Sequence, residues 1–310
     1  MKDKILLTGA SGFVGSRVKS FLSRDSLVLV GRKDIDKNYR FFYSDMDNSS
    51  IYGEALDDVG CIIHCAAKAH VMDFTAGQTD DDYYKINRDG TLNLARQAAA
   101  RGVKRFIFIS SIKVNGEATQ LNKYFSVEDV PAPNDAYGMS KLAAEIGLRT
   151  ISEQTGMEIV IIRPPLIYGP GVKANFSALL NLAKRNYPLP LGLIKNKRSM
   201  VYLDNLVDLI SICVYHPRAA NQTFLVSDDQ DVSTTELLEM MTRAADKSPC
   251  LLPVPASWLK FLGKLTGKQA VIERLCGNLQ VDISHTKKTL DWLPPYKVEE
   301  GIRRCYVEGN

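Results

Sequence analysis

The chain has 310 residues, 45% of them hydrophobic, with 39 Lys and Arg against 35 Asp and Glu and a net charge of +4. No run of like charges suits a nucleic-acid tail, and no apolar run approaches the roughly 18 residues of a membrane span, so the composition is that of a globular cytosolic protein. The six cysteines (Cys61, Cys65, Cys213, Cys250, Cys276, Cys305) form no Cys-x-x-Cys and have no histidine cluster beside them, which argues against a metal site and for reduced thiols.

In chain order, Lys4 to Thr8 reads as a short apolar strand, followed by Gly9-Ala10-Ser11-Gly12-Phe13-Val14-Gly15 and a helix over about 13–23 with Val14, Val18, Phe21 and Leu22 on one side. Strand, glycine turn and helix in that order make a dinucleotide fingerprint. Gly9 suits the tight turn, Gly12 the approach of a pyrophosphate and Gly15 close helix–strand packing, with the helix N-terminus facing the phosphates. A second strand at 27–30 ends in Gly31-Arg32-Lys33, where an NAD-binding fold usually carries a carboxylate for the ribose 2′-OH. Arg32 and Lys33 suit a 2′-phosphate instead, so NADP(H) is favoured, with NAD(H) open if both are solvated turn residues.

Strands follow at 61–65, 105–110 and 158–163, alternating with helices at 87–101 and 136–154. That alternation predicts a parallel sheet covered on both faces. Cys61 to Ala67 is a buried strand ending in the small residues Ala66 and Ala67, which lets a ribose sit close. Beyond Pro164 the texture changes: a helix at 174–185, a strand at 199–203, a helix at 204–216, a strand at 222–226, then mostly helical chain over 228–310. The expected division is a dinucleotide-binding domain of residues 1–168, to which 199–227 returns, and a substrate domain of 169–198 and 228–310. Trp258 to Leu265 is amphipathic with two lysines. It is expected to pack in the small domain; lying on a membrane surface is the alternative.

Of the 13 tyrosines, only Tyr137 has a lysine, Lys141, four residues later. On a helix both side chains share a face. An ammonium beside a phenol lowers the phenol's pKa from about 10, making it a proton donor and acceptor for a carbon-bound oxygen while hydride moves at the same carbon. The competing reading is a surface helix pair worth about 0.3 kcal/mol.

Taken together, Thr8 to Gly15, Asp45-Met46, His64-Cys65-Ala66-Ala67, Asn87 in Asn-Arg-Asp-Gly-Thr, Ser110-Ser111, Tyr137-x-x-x-Lys141 and Arg163-Pro164 resemble an extended short-chain dehydrogenase/reductase over nearly the whole chain. The resemblance implies an α/β, Rossmann-type doubly wound parallel sheet with a smaller, mostly helical C-terminal substrate domain. Within the family the chain is similar to the nucleotide-sugar 4-epimerases and 4-ketoreductases that act on UDP-hexoses. Residue by residue, the resemblance implies that Ser111 hydrogen-bonds the reacting sugar oxygen, Tyr137 is the acid/base, and Lys141 grips the nicotinamide ribose. It places Gly9, Ser11, Gly12, Phe13, Val14, Gly15, Arg32, Lys33, Asp45, Met46, Ala66, Ala67, Asn87, Ser110 and Pro164 around the cofactor, with Asp45 at the adenine amino group. Asn175 and Arg198 are implied to hold the sugar diphosphate, with Arg274 as a second cation, and Asp204 has a structural role. Paired helices at 87–101 and 136–154 imply a homodimer.

Two positions depart from the family's patterns. Dehydratases carry Asp-Glu after the active-site Ser or Thr, where this chain has Ile112-Lys113, so sugar dehydration is not expected. Lys113 either stabilises charge on a keto oxygen or is a surface lysine. The second departure is the basic 31–33 turn. Asn87 either positions Lys141 through a water or caps its helix; His64 is expected to be a packed residue, and His70 has no partner nearby in sequence. Three functions stay open: reduction of a UDP-4-keto-6-deoxy-2-acetamido-hexose, favoured on the basic turn; 4-epimerisation of a UDP-hexose with cofactor kept in place; and a non-catalytic NADP-binding scaffold.

Overall fold

A computed structural model describes residues 3–68, 80–267 and 269–307. Strand β1 (Lys4–Thr8) leads through the glycine turn into α1 (Phe13–Phe21), then β2 (Leu27–Gly31), β3 (Arg40–Tyr43) and β4 (Val59–His64). Helix α2 (Asp80–Tyr83) runs through a π-helical segment, Tyr84–Gly90, into α3 (Thr91–Ala100). After β5 (Arg105–Ile109) come α4 (Ala136–Thr155), β6 (Glu158–Arg163), β7 (Leu166–Tyr168), α5 (Ala174–Arg185), β8 (Met200–Tyr202), α6 (Leu203–Tyr215) and β9 (Thr223–Leu225). The rest is helical: α7 (Thr234–Ala244), α8 (Ala256–Leu265), α9 (Gln269–Cys276), α10 (Ser284–Leu290) and α11 (Val298–Val307).

Seven parallel strands form one sheet in the order β3-β2-β1-β4-β5-β6-β9. The central strands read as unbroken apolar runs because both faces are covered. One face packs α1 and α6 around Leu7, Ile63, Ile107 and Val160. The other packs α3 and α4 around Leu6, Ile62, Phe106 and Ile161. Strand order reverses between β1 and β4, and in such sheets ligands bind at that crevice, beyond the strands' C-terminal ends.

The structure departs from the sequence expectations in three places. The helix expected to begin at 87 is already formed at Asp80–Tyr83, and Asn87 lies inside its π segment rather than at a cap. Strand β8 does not join the main sheet: it pairs in parallel with β7, Leu166 opposite Met200, as a separate two-stranded sheet. Only β9 returns to the main sheet. Strand β3, four half-exposed residues at the sheet edge, has too little apolar pattern to be read from sequence. All six cysteines are free, and His70 lies outside the described residues.

The joint between the two sheets is built on a buried carboxylate. Asp228 accepts bonds from the Tyr202 backbone N–H (2.8 Å), Asn205 Nδ2 (2.7 Å) and the Tyr168 hydroxyl (2.7 Å). Burial pushes its pKa up to about 6, although all three bonds oppose that. Because the folded pKa lies above the unfolded value of 3.8, the native state binds the extra proton between these limits. The resulting stability is fully present below the unfolded pKa and is lost as pH rises through about 6. Unfolding titrations should therefore show wild type losing roughly 3 kcal/mol relative to Asp228→Asn between pH about 4 and 7. A difference that stays flat with pH would rule this out.

Candidate active site

The glycine turn is shaped as its spacing predicts. Gly9 has φ +72°, and a Cβ there would sit 2.6 Å from the Ala66 backbone nitrogen. Gly12 donates to the Gly9 carbonyl (2.8 Å) and is the extended N-cap of α1, with no side chain covering the helix end. A Cβ on Gly15 would lie 2.2 Å from the Gly9 oxygen, so only glycine lets α1 approach the turn. Ser11 and Gly12 are exposed at this N-terminus, with Phe13 and Val14 half-buried behind them. A small cavity joins the turn to Val30, Gly31, Arg32 and Lys33. The exposed N–H groups and the two exposed cations fit a dinucleotide's phosphates.

Ala66 and Ala67 extend from β4 beside the turn, and the Ala66 N–H is held by Thr8 Oγ1 (3.1 Å). His64 is buried between Thr8 Oγ1 and Thr91 Oγ1, each 2.9 Å away, and burial drives its pKa down to about 3. It is a neutral clamp between β4, β1 and α3. Met46 is buried with φ +62°, and its carbonyl packs so closely on Gly90 that a Cβ there would come within 1.9 Å. Asp45, expected at an adenine amino group, is exposed and accepts the Tyr43 hydroxyl (2.8 Å).

Ser111 lies just past β5 and Tyr137 one residue into α4. The Ser111 side chain lies beside the Tyr137 phenol and acts to lower its pKa. The Tyr137 pKa is nonetheless raised to about 12, by burial first and then by the negative charge of Asp135. Lys141, expected to acidify the phenol, is not among the groups acting on it. Lys141 is buried and its Nζ donates instead to the Ile109 carbonyl (2.8 Å), 4.4 Å above the Phe108 ring. A buried ammonium must have an acceptor, and the end of β5 provides one. Burial lowers the Lys141 pKa to about 8, with Cys65 and Glu145 acting in the opposite direction.

Other expected residues take different partners. Lys113 does not offer a free ammonium to a keto oxygen: it is ion-paired with Asp135 and lies 3.5 Å from Glu117. Asp135 is also the N-cap of α4, accepting the Gly138 N–H (2.7 Å), so the pair ties the turn after Ser111 to the helix carrying Tyr137. Asn87 bonds the Lys68 backbone (2.8 and 3.2 Å) and Ser140 Oγ (3.0 Å), holding α4 next to Lys141 without capping a helix. Ser110 is buried and its hydroxyl is spent on Glu145 (2.6 Å), so its side chain does not face a cofactor. Pro164 is buried, and its carbonyl accepts the Ile112 N–H (2.9 Å). Arg198 Nη1 donates to the carbonyls of Arg274 (3.1 Å) and Gly277 (3.3 Å), closing the C-terminus of α9, where a cation is favoured. Asn175, on the first turn of α5, and Arg274 are exposed.

Glu145 was not singled out in the sequence. It stands four residues after Lys141, eight after Tyr137, on the same face of α4, and that spacing was the available signal. It is fully buried and paired with Arg163 (2.6 and 2.9 Å), while Arg163 Nη1 donates to Asn115 Oδ1 (2.9 Å). The network joins α4 to the ends of β5 and β6 directly behind Ser111 and Lys141. Removing one member of a buried pair costs about 3–5 kcal/mol. Glu145→Gln should destabilise the protein by that order and move the Lys141 titration below its native value of about 8. A pH–activity profile whose Lys141 limb stays in place would exclude the coupling.

The chain resembles known proteins over nearly its whole length. The NAD dependent epimerase/dehydratase family matches residues 5–227. The chain is 48% identical to the UDP-glucose 4-epimerase of Vibrio cholerae, over 100% of this chain and 97% of the relative. It is 29% identical to the N-acetyl-alpha-D-glucosaminyl-diphospho-ditrans,octacis-undecaprenol 4-epimerase of Escherichia coli O157:H7, over 98% and 94%. Its fold is similar to that of the UDP-glucuronic acid 4-epimerase of Bacillus cereus solved with NAD, at a TM-score of 0.78, 19% identity and 98% coverage of both chains. On the family match and the 48% relative together, the chain belongs to the NAD dependent epimerase/dehydratase family.

Proposed function

We propose that the protein is a 4-epimerase of a UDP-hexose with a nicotinamide dinucleotide held in the crevice above β1 and β4. The observation that carries this is the full-length 48% identity to a UDP-glucose 4-epimerase, read with the Ser111 side chain beside the Tyr137 phenol. The sequence alone ranks ketoreduction first; the comparisons favour epimerisation, and the same side chains serve both reactions. When bound, the nicotinamide supplies a hydride acceptor and donor at C4. Ser111 orients the oxygen on C4. Tyr137 removes the proton from that oxygen as the alcohol becomes a ketone, and returns it after the 4-keto sugar has turned its other face. Lys141, anchored on the Ile109 carbonyl, presents an ammonium beside the site, where it binds ribose hydroxyls.

Around this centre the glycine turn and the α1 N-terminus hold the pyrophosphate. Arg32 and Lys33 favour a 2′-phosphate on the adenosine ribose, whereas the family is described as NAD dependent. Asn175 and Arg274, exposed at the rim, take the sugar diphosphate. Met139 and Ile146 are 44% and 55% exposed on the outer face of α4, an apolar surface that suits a homodimer.

Purified protein should carry cofactor through gel filtration and interconvert UDP-glucose with UDP-galactose, or their N-acetylated forms, with no net change at 340 nm. Tyr137→Phe should keep the cofactor and lose about 10²–10⁴-fold in kcat. Stoichiometric NADPH oxidation by a UDP-4-keto sugar, with no epimerisation, would replace this reading by the reductase. Enzymatic assay of the cofactor released on denaturation identifies it as NAD or NADP.

A further inference from the structure

Helix α8 turns its largest apolar side chains outward. Leu259 is inside, 5% exposed in a small core with Leu191, Ile194 and Leu238. Trp258, Phe261 and Leu265 are 67%, 61% and 68% exposed. Their spacing of three and seven residues puts them on one helical face. Val271, on the neighbouring α9, is 50% exposed, and Leu252, just before α8, is 46% exposed. Single exposed apolar residues are ordinary, but a run of this kind on two short packed helices marks an interaction surface. The sequence expectation that this stretch packs inside the small domain therefore holds for Leu259 and fails for the other face.

Charge selects the partner. Residues 256–276 contain Lys260, Lys264, Lys268 and Arg274 against the single acid Glu273, in a chain whose charges otherwise nearly balance. Lys264 is exposed. A second copy of this face would bring like charges together, which disfavours self-association. An apolar stripe led by Trp and Phe, set among lysines, is the composition of a helix lying in the plane of a membrane interface. We propose that α8 and α9 dock the protein peripherally on an anionic lipid bilayer. The Trp258–Phe261–Leu265 stripe enters the headgroup–acyl boundary, and Lys264 meets the lipid phosphates. The end of α9 is tied to the body of the protein: Gly277 and Asn278, directly after α9, bond Asn196, Lys197 and Thr119. Docking does not depend on which reaction the site performs.

The chain has two tryptophans, Trp258 and Trp292. Trp292 is 2% exposed and donates to Asp208 (2.8 Å), so a change in emission on adding lipid reports Trp258. The full chain is mixed with vesicles of phosphatidylglycerol and phosphatidylethanolamine, and separately with phosphatidylcholine vesicles. Emission should shift to the blue, and the protein should sediment with the anionic vesicles only, releasing in about 0.5 M salt. Trp258→Ser/Phe261→Ser/Leu265→Ser should sediment at least about tenfold less, with an unchanged circular dichroism spectrum. If that variant fails to fold, Lys264→Glu serves in its place and should weaken sedimentation. The proposal is overturned if the wild type ignores anionic vesicles, if it binds neutral ones equally, or if the apolar variant still sediments. It is also overturned if the stripe proves to drive lipid-free self-association.

Discussion

Everything at the catalytic end depends on how one face of α4 is locked against the ends of β5 and β6. Tyr137, Lys141 and Glu145 stand four residues apart and all turn toward the sheet. Each faces a group near a strand end: the phenol has the Ser111 side chain beside it, the ammonium bonds the Ile109 carbonyl, and the carboxylate bonds Arg163 and Ser110. A rotation of the helix by one residue, about 100°, would break all three at once. The Lys113–Asp135 pair and the Asn87–Ser140 bond brace the same helix from outside. Positional accuracy at the reacting atoms thus comes from buried charge with no freedom to re-pair, since each alternative leaves an ion unsolvated.

The glycine turn solves the opposite problem. There the backbone must stay open, so the chain removes side chains instead of locking them. A Cβ on Gly9 would strike Ala66, and one on Gly15 would strike Gly9 itself. What remains is an uncapped helix end with free donors, which is what binds a pyrophosphate. The two solutions sit on opposite sides of the strand-order reversal.

Much of this could be read from the chain because its causes are local. β1, the glycine turn and α1 are contiguous, and the pairing of Tyr137 with Lys141 needs only the helical repeat. What could not be read depends on tertiary partners. The acceptor for Lys141 is a backbone carbonyl, and a carbonyl has no sequence signature. The π segment arises where Asn87 is bonded to Lys68 and Ser140, both distant in the chain. Arg198 looks like a diphosphate ligand by position, but its guanidinium closes α9. For α8 the apolar pattern is the same whether the helix is buried or exposed, so the sequence could not say which face is covered.

The substrate half follows from the same contrast. Around Tyr137 the side chains are committed to one another, and their chemistry is fixed before any ligand arrives. By contrast, Asn175 on α5 and Arg274 on α9 are exposed. Substitutions at such exposed positions leave the locked face of α4 untouched, whereas any change on that face meets buried, committed partners.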